Sequence, residues 1–234
     1  MTRHELKEQI RHDQFTDAVS QALEYTVSHR KQVTRWAFIV IAVILAVVAG
    51  LWYSSARAAD RKADLDSALA VASAPVGQAA PGSLNFPTQE AKNNAALKAL
   101  SGVVAKDGGT REAYIAQYCR GTLRAQTGDT TGAQADLETV AKSGGEMAPL
   151  AKIALAQLYA AQNKTAQAQA YLRDLINKPT DLVSKEQAQI LLAQLLAKTN
   201  PAEAKKIVQS VKSAPGVSPA VAHAADEVVP QSSK

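Results

Sequence analysis

The chain has 234 residues, a net charge of +5 and a single cysteine, Cys119. One cysteine excludes an intramolecular disulfide and a multi-cysteine zinc site. Lys and Arg outnumber Asp and Glu only by six to five before residue 36 and by seventeen to fifteen after residue 62, so no basic stripe for nucleic acid exists.

Residues 1–35 form a polar N-terminal segment. Within it, Asp13 caps an expected amphipathic helix that places Phe15, Val19, Ala22, Leu23 and Thr26 on one face. Residues 36–53, WAFIVIAVILAVVAGLWY, follow without a charge. Eighteen residues at 1.5 Å each span about 27 Å, the thickness of bilayer hydrocarbon. Trp36 and Trp52, the only tryptophans, mark the two ends with Tyr53 beside the second, as interfacial aromatic anchors do. Ala56-Arg57-Ala58 offers a cleavage pattern, but the apolar run is long and late for a signal peptide, so an uncleaved transmembrane helix is expected. Arg30, Lys31 and Arg35 on one flank balance Arg57, Arg61 and Lys62 on the other, so charge leaves the direction of crossing open.

Residues 54–73 continue as a post-membrane helix. A Pro/Gly-rich stretch, 74–87, reads as a mobile loop, and 88–229 as a helical repeat domain, with a disordered tail over 230–234. Ala63–Ser73 is expected to pair with the amphipathic helix Thr88–Lys106. From residue 111 a pattern then recurs three times. Gly121, Ala156 and Ala193 hold equivalent positions, followed by Ala133, Ala168 and Ala204 and then by Leu137, Leu172 and Val208. Two antiparallel helices approach closely only where a side chain is small, so these positions mark crossings. Gly128-Asp129, Asn163-Lys164 and Asn200-Pro201 supply the turns inside each pair, and Ser184 with Gln187 a capping box. Ser218–Val229 closes the array as a short capping helix.

The repeats resemble the tetratricopeptide repeat, whose period is about 34 residues. The second copy matches best, with Leu155-Ala156, Tyr159, Ala168 and Leu172. The first carries Arg120 and Arg124 where apolar residues are usual, and all three copies lack the signature Trp. The fold class is therefore all-α: one N-terminal transmembrane helix followed by a tetratricopeptide-like solenoid. In that register the concave face presents Tyr118, Thr122, Ile153, Gln157, Ile190 and Gln194 as a candidate partner-binding groove. None is Lys or Asn, which disfavours a clamp for an acidic peptide end.

No catalytic or metal constellation stands out. His4, His12, His29 and His223 lack ligand spacing, and Asp64 and Asp66 point to different faces of a helix. A non-enzymatic protein without cofactor or small-molecule substrate is expected. The order of a polar segment with FTDAVSQALEYTVSHRKQV, one span, a loop running into FPTQEA and degenerate repeats resembles the YfgM-like tetratricopeptide family, ancillary subunits of the SecYEG translocon. That resemblance implies a bacterial inner-membrane location, a cytoplasmic N-terminus and periplasmic repeats. It implies the translocon, periplasmic chaperones and exported chains as partners. An adaptor for cell division or another secretion machinery, or a docking subunit of a membrane enzyme, are the alternatives.

Overall fold

A computed structural model of the chain describes residues 30–77, 82, 84–214 and 217–228. The expected amphipathic helix over 13–29, the tail 230–234 and most of the 74–87 loop interior lie outside them. The described residues are all-helical, with nine helices and no strand beyond an isolated bridge between Val76 and Phe86. The chain divides into two compact units, Met1–Ala59 and Asp60–Lys234.

In the first unit the helix α1, Arg30–Ser73, begins and carries the apolar run without a break. It is long and apolar enough to cross a membrane, and none of its most apolar window is buried. Trp36, Trp52 and Tyr53 are all exposed, Trp52 at 75%. A charge-free run of helix that is not buried within its own chain leaves its apolar surface exposed.

The second unit holds the last turns of α1 and eight further helices. These are α2 (Gln89–Lys106), α3 (Arg111–Gln126), α4 (Thr130–Lys142), α5 (Ala148–Ala161), α6 (Thr165–Asn177), α7 (Lys185–Leu196), α8 (Pro201–Lys212) and α9 (Pro219–Val228). Every consecutive pair from α2 to α9 is in contact, and next-neighbour contacts join α3 to α5 and α7 to α9.

Local chemistry sets the ends. Thr88, Thr110, Asp129, Ser184 and Asn200 each accept a hydrogen bond from a backbone N–H of the first turn, satisfying donors that helical pairing leaves over. Ser184 Oγ takes its bond from Gln187 N at 3.1 Å, one half of the anticipated capping box. Gly128 (φ 90°) and Asn163 (φ 59°) occupy the left-handed conformation that turns α3 into α4 and α5 into α6. Pro201 and Pro219 open α8 and α9 at the position where a missing N–H costs nothing.

The repeat register is realised in packing. Ala156, Ala193, Ala133, Ala168 and Ala204 are all buried, as are Leu137, Leu172 and Val208. At Gly121 the approach is closest: a Cβ built there would lie 2.9 Å from Leu137 Cγ and 3.1 Å from Asp136 Cβ. Only glycine fits that crossing. One core runs from Leu137 to Ala225, and a second joins Leu65 and Ala68 of α1 to Leu100 and Val103 of α2 and Ala116 of α3. The expected pairing of residues 63–73 of α1 with α2 is thus present, supported by the ion pair from Lys106 to Asp64, and Arg61 of α1 pairs with Glu112 of α3 at 3.6 Å.

The described ends of the 74–87 loop are tied together. Gly77 N donates to Phe86 O at 2.9 Å, Phe86 N to Pro75 O at 3.2 Å and Asn85 Nδ2 to Gly77 O at 2.9 Å. Each of these bonds costs both segments some conformational freedom.

Candidate partner-binding surface

The six expected groove residues do not share one surface. Ile153 and Gln157 on α5 and Gln194 on α7 meet across a cleft of about 170 Å³. Ala156 and Ala160, Leu172 of α6, and Leu191 and Leu195 of α7 complete it. Every lining residue is uncharged, and the two glutamines are exposed at its rim. The arrangement is an apolar floor with amide donors and acceptors above it, able to hold an apolar side chain and hydrogen-bond the backbone beside it.

Ile190 is a correction. It is 5% exposed and belongs to the main core. Leu191 takes the place expected of it. Both lie one helical turn before Gln194, three and four residues back, so spacing alone could not choose between them. Thr122 lines a separate concavity of about 230 Å³ with Leu69, Cys119 and Gln126, and its hydroxyl donates to Cys119 O at 2.9 Å. Tyr118 is half-buried against the main core, and burial raises its hydroxyl pKa. These two are packing residues more than groove residues.

Two polar clusters escaped the sequence. Asp136 on α4 is 3% exposed, the one buried charged residue among the described residues. Arg120 reaches it twice, Nε to Oδ2 at 2.8 Å and Nη2 to Oδ1 at 2.5 Å. Arg124 Nη1 donates to Oδ2 at 2.8 Å and Gln117 Nε2 to Oδ1 at 3.2 Å. Arg120 Nη1 also donates to Ser101 Oγ at 3.2 Å, tying α2 into the cluster. A buried carboxylate held by two guanidiniums and an amide has its lone pairs occupied, which is the condition for tolerating the charge inside.

In the second cluster Tyr159 donates to Glu138 Oε1 at 3.1 Å and stacks on Tyr171, ring centroids 5.9 Å apart. Burial, then the bond to Glu138, pushes the Tyr159 hydroxyl up to about 12. Glu138 is held below its usual value, first by the hydrogen bond from Gln134. Lys152 donates to Asp174 at 2.6 Å and thereby lowers the pKa of that carboxyl.

Among the described residues no group of three or more His, Cys, Asp or Glu is placed to hold a metal ion. Cys119 is half-buried and burial raises its thiol pKa, the opposite of an activated nucleophile. The clusters above join helices to one another, whereas the cleft on α5, α6 and α7 is an uncharged concavity open at its rim. No protein-family model matches this chain, and neither a curated protein nor a solved structure matches it.

Proposed function

We propose that this protein is a non-enzymatic scaffold, anchored in a membrane by residues 36–53, that holds protein partners on a tetratricopeptide-like helical array. The observation that carries the reading is the uncharged cleft formed by Ile153, Gln157 and Gln194 on helices that repeat one small-residue register. Helical solenoids bind through such concave faces, and a neutral floor with glutamines at the rim suits an apolar segment of another polypeptide. The unburied apolar helix supports anchorage.

Within that reading the array lies in the periplasm and the N-terminus in the cytoplasm of a bacterial inner membrane. The partners are the SecYEG translocon, periplasmic chaperones or exported chains. This finer assignment rests on the resemblance to the YfgM-like family. Crosslinking in membranes followed by pull-down tests it: translocon subunits are expected, and recovery of division proteins or a single enzyme instead overturns it. A Gln157→Ala, Gln194→Ala double variant should lose partner recovery with unchanged helicity. For topology, a thiol label belongs at Leu84, which is 50% exposed. Leu84→Cys in a Cys119→Ala background should react from outside the inner membrane, and protection there sinks the assigned orientation.

A further inference from the structure

The arginines whose side chains the structure describes fall into two groups. Arg61, Arg111, Arg120, Arg124 and Arg173 each pair with a carboxylate, at 2.5–3.6 Å. Among the described residues Arg35 and Arg57 have no such partner. These two flank the apolar run, about 33 Å apart along the helix at 1.5 Å per residue. Arg57 is also prepositioned. Its Nε and Nη2 donate to the Tyr53 hydroxyl at 3.1 and 2.8 Å, and its guanidinium carbon lies 5.3 Å from the centre of the Tyr53 ring. Trp52, Tyr53 and Arg57 are all exposed.

We propose that Arg57, held over Tyr53 beside Trp52, binds the phosphate of an anionic phospholipid headgroup at the end of the span. The proposal rests on the reading of 36–53 as a membrane helix. Of the five N–H donors of a guanidinium the tyrosine engages two, and the free ones form a fork that matches a phosphate. Arg57 stands about 6 Å beyond Tyr53, which an interfacial ring places at headgroup level. A cation without a carboxylate, fixed at that depth, meets phosphate as its anion. An attraction of about 1 kcal/mol per basic residue at an anionic surface corresponds to roughly fivefold local enrichment.

The test uses Trp52 as its reporter. The full chain carrying Trp36→Phe has one tryptophan, and is inserted into vesicles of phosphatidylglycerol and phosphatidylcholine in which one lipid or the other is brominated. Trp52 quenching per mole of lipid should favour brominated phosphatidylglycerol several-fold. Arg57→Gln should bring the ratio to one, Tyr53→Phe should lower it, and Arg173→Gln, the same charge change at a paired arginine, should leave it unchanged. An equal ratio in the parent chain, a preference surviving Arg57→Gln, or its loss in Arg173→Gln overturns the proposal. An unchanged ratio in Tyr53→Phe removes Tyr53 from the site. If neither brominated lipid quenches Trp52, the membrane reading fails and the proposal with it.

Discussion

The pair α3/α4 and the pair α5/α6 use the same three repeat positions in opposite chemical ways. Counting from the small residues, Arg120, Arg124 and Asp136 in the first pair correspond to Leu155, Tyr159 and Tyr171 in the second. The first triad is a hydrogen-bonded ion cluster, while the second packs Leu155 in the core and stacks its two tyrosines. A third solution, Leu192, Leu196 and Ile207 in α7/α8, is aliphatic. The crossing geometry is therefore not tied to one kind of contact. It requires a small residue at the closest approach and complementary partners beside it, whether charged, aromatic or aliphatic.

That equivalence is most exposed at Asp136. Asp136→Ala leaves Arg120 and Arg124 facing each other in a part-buried space, and should destabilise the array by about 3 kcal/mol, read as a lowered urea midpoint. Replacing the whole triad with its counterpart, Arg120→Leu, Arg124→Tyr and Asp136→Tyr together, should recover most of that loss. A triple variant less stable than the single one would break the comparison. Next in size is the crossing itself. Gly121→Ala should cost about 1–2 kcal/mol, since overpacking against Leu137 outweighs the helix preference of alanine. Ala156→Gly at the equivalent place should cost about 1–2 kcal/mol, through helix propensity and the loss of a buried methyl.

The second pair carries a pH signature at Tyr159. Tyr159 has its folded pKa raised from the usual tyrosine value of about 10 to about 12. Stabilisation from the neutral hydroxyl is then complete below about pH 10 and fades as pH rises towards 12, because the unfolded chain releases its proton first. The urea midpoint should therefore fall more steeply across this window in the parent than in Tyr159→Phe. Parallel curves would remove the tyrosine from the account. Least of all, Arg173→Gln, which breaks the exposed 3.4 Å pair with Glu203, should leave the midpoint within measurement error.

Much of this architecture could be read from residue types. The charge-free run with a tryptophan at each end, the Gly/Ala register and the Asn200-Pro201 helix start are local patterns, and the helices follow them. The candidate surface was less accessible. Ile153, Gln157 and Gln194 line one cleft, but Ile190 exchanges places with Leu191, since a helix face wide enough to include both does not say which is turned inward. Arg120 and Arg124 looked like defects in the first repeat for a related reason. Their carboxylate lies on the next helix, sixteen and twelve residues away, at a distance in sequence that no helical period connects.

By itself, then, the sequence determined the helices, their ends, the apolar span and the small-residue crossings, because propensity, capping and transfer from water act over a turn or a stretch of consecutive residues. Tertiary structure alone decided which polar groups were safe to bury, which face of α7 opened to solvent and which arginines were left without a carboxylate. Each of those depends on the neighbour that packing brings within hydrogen-bond reach, and a buried group is stable or costly according to that neighbour.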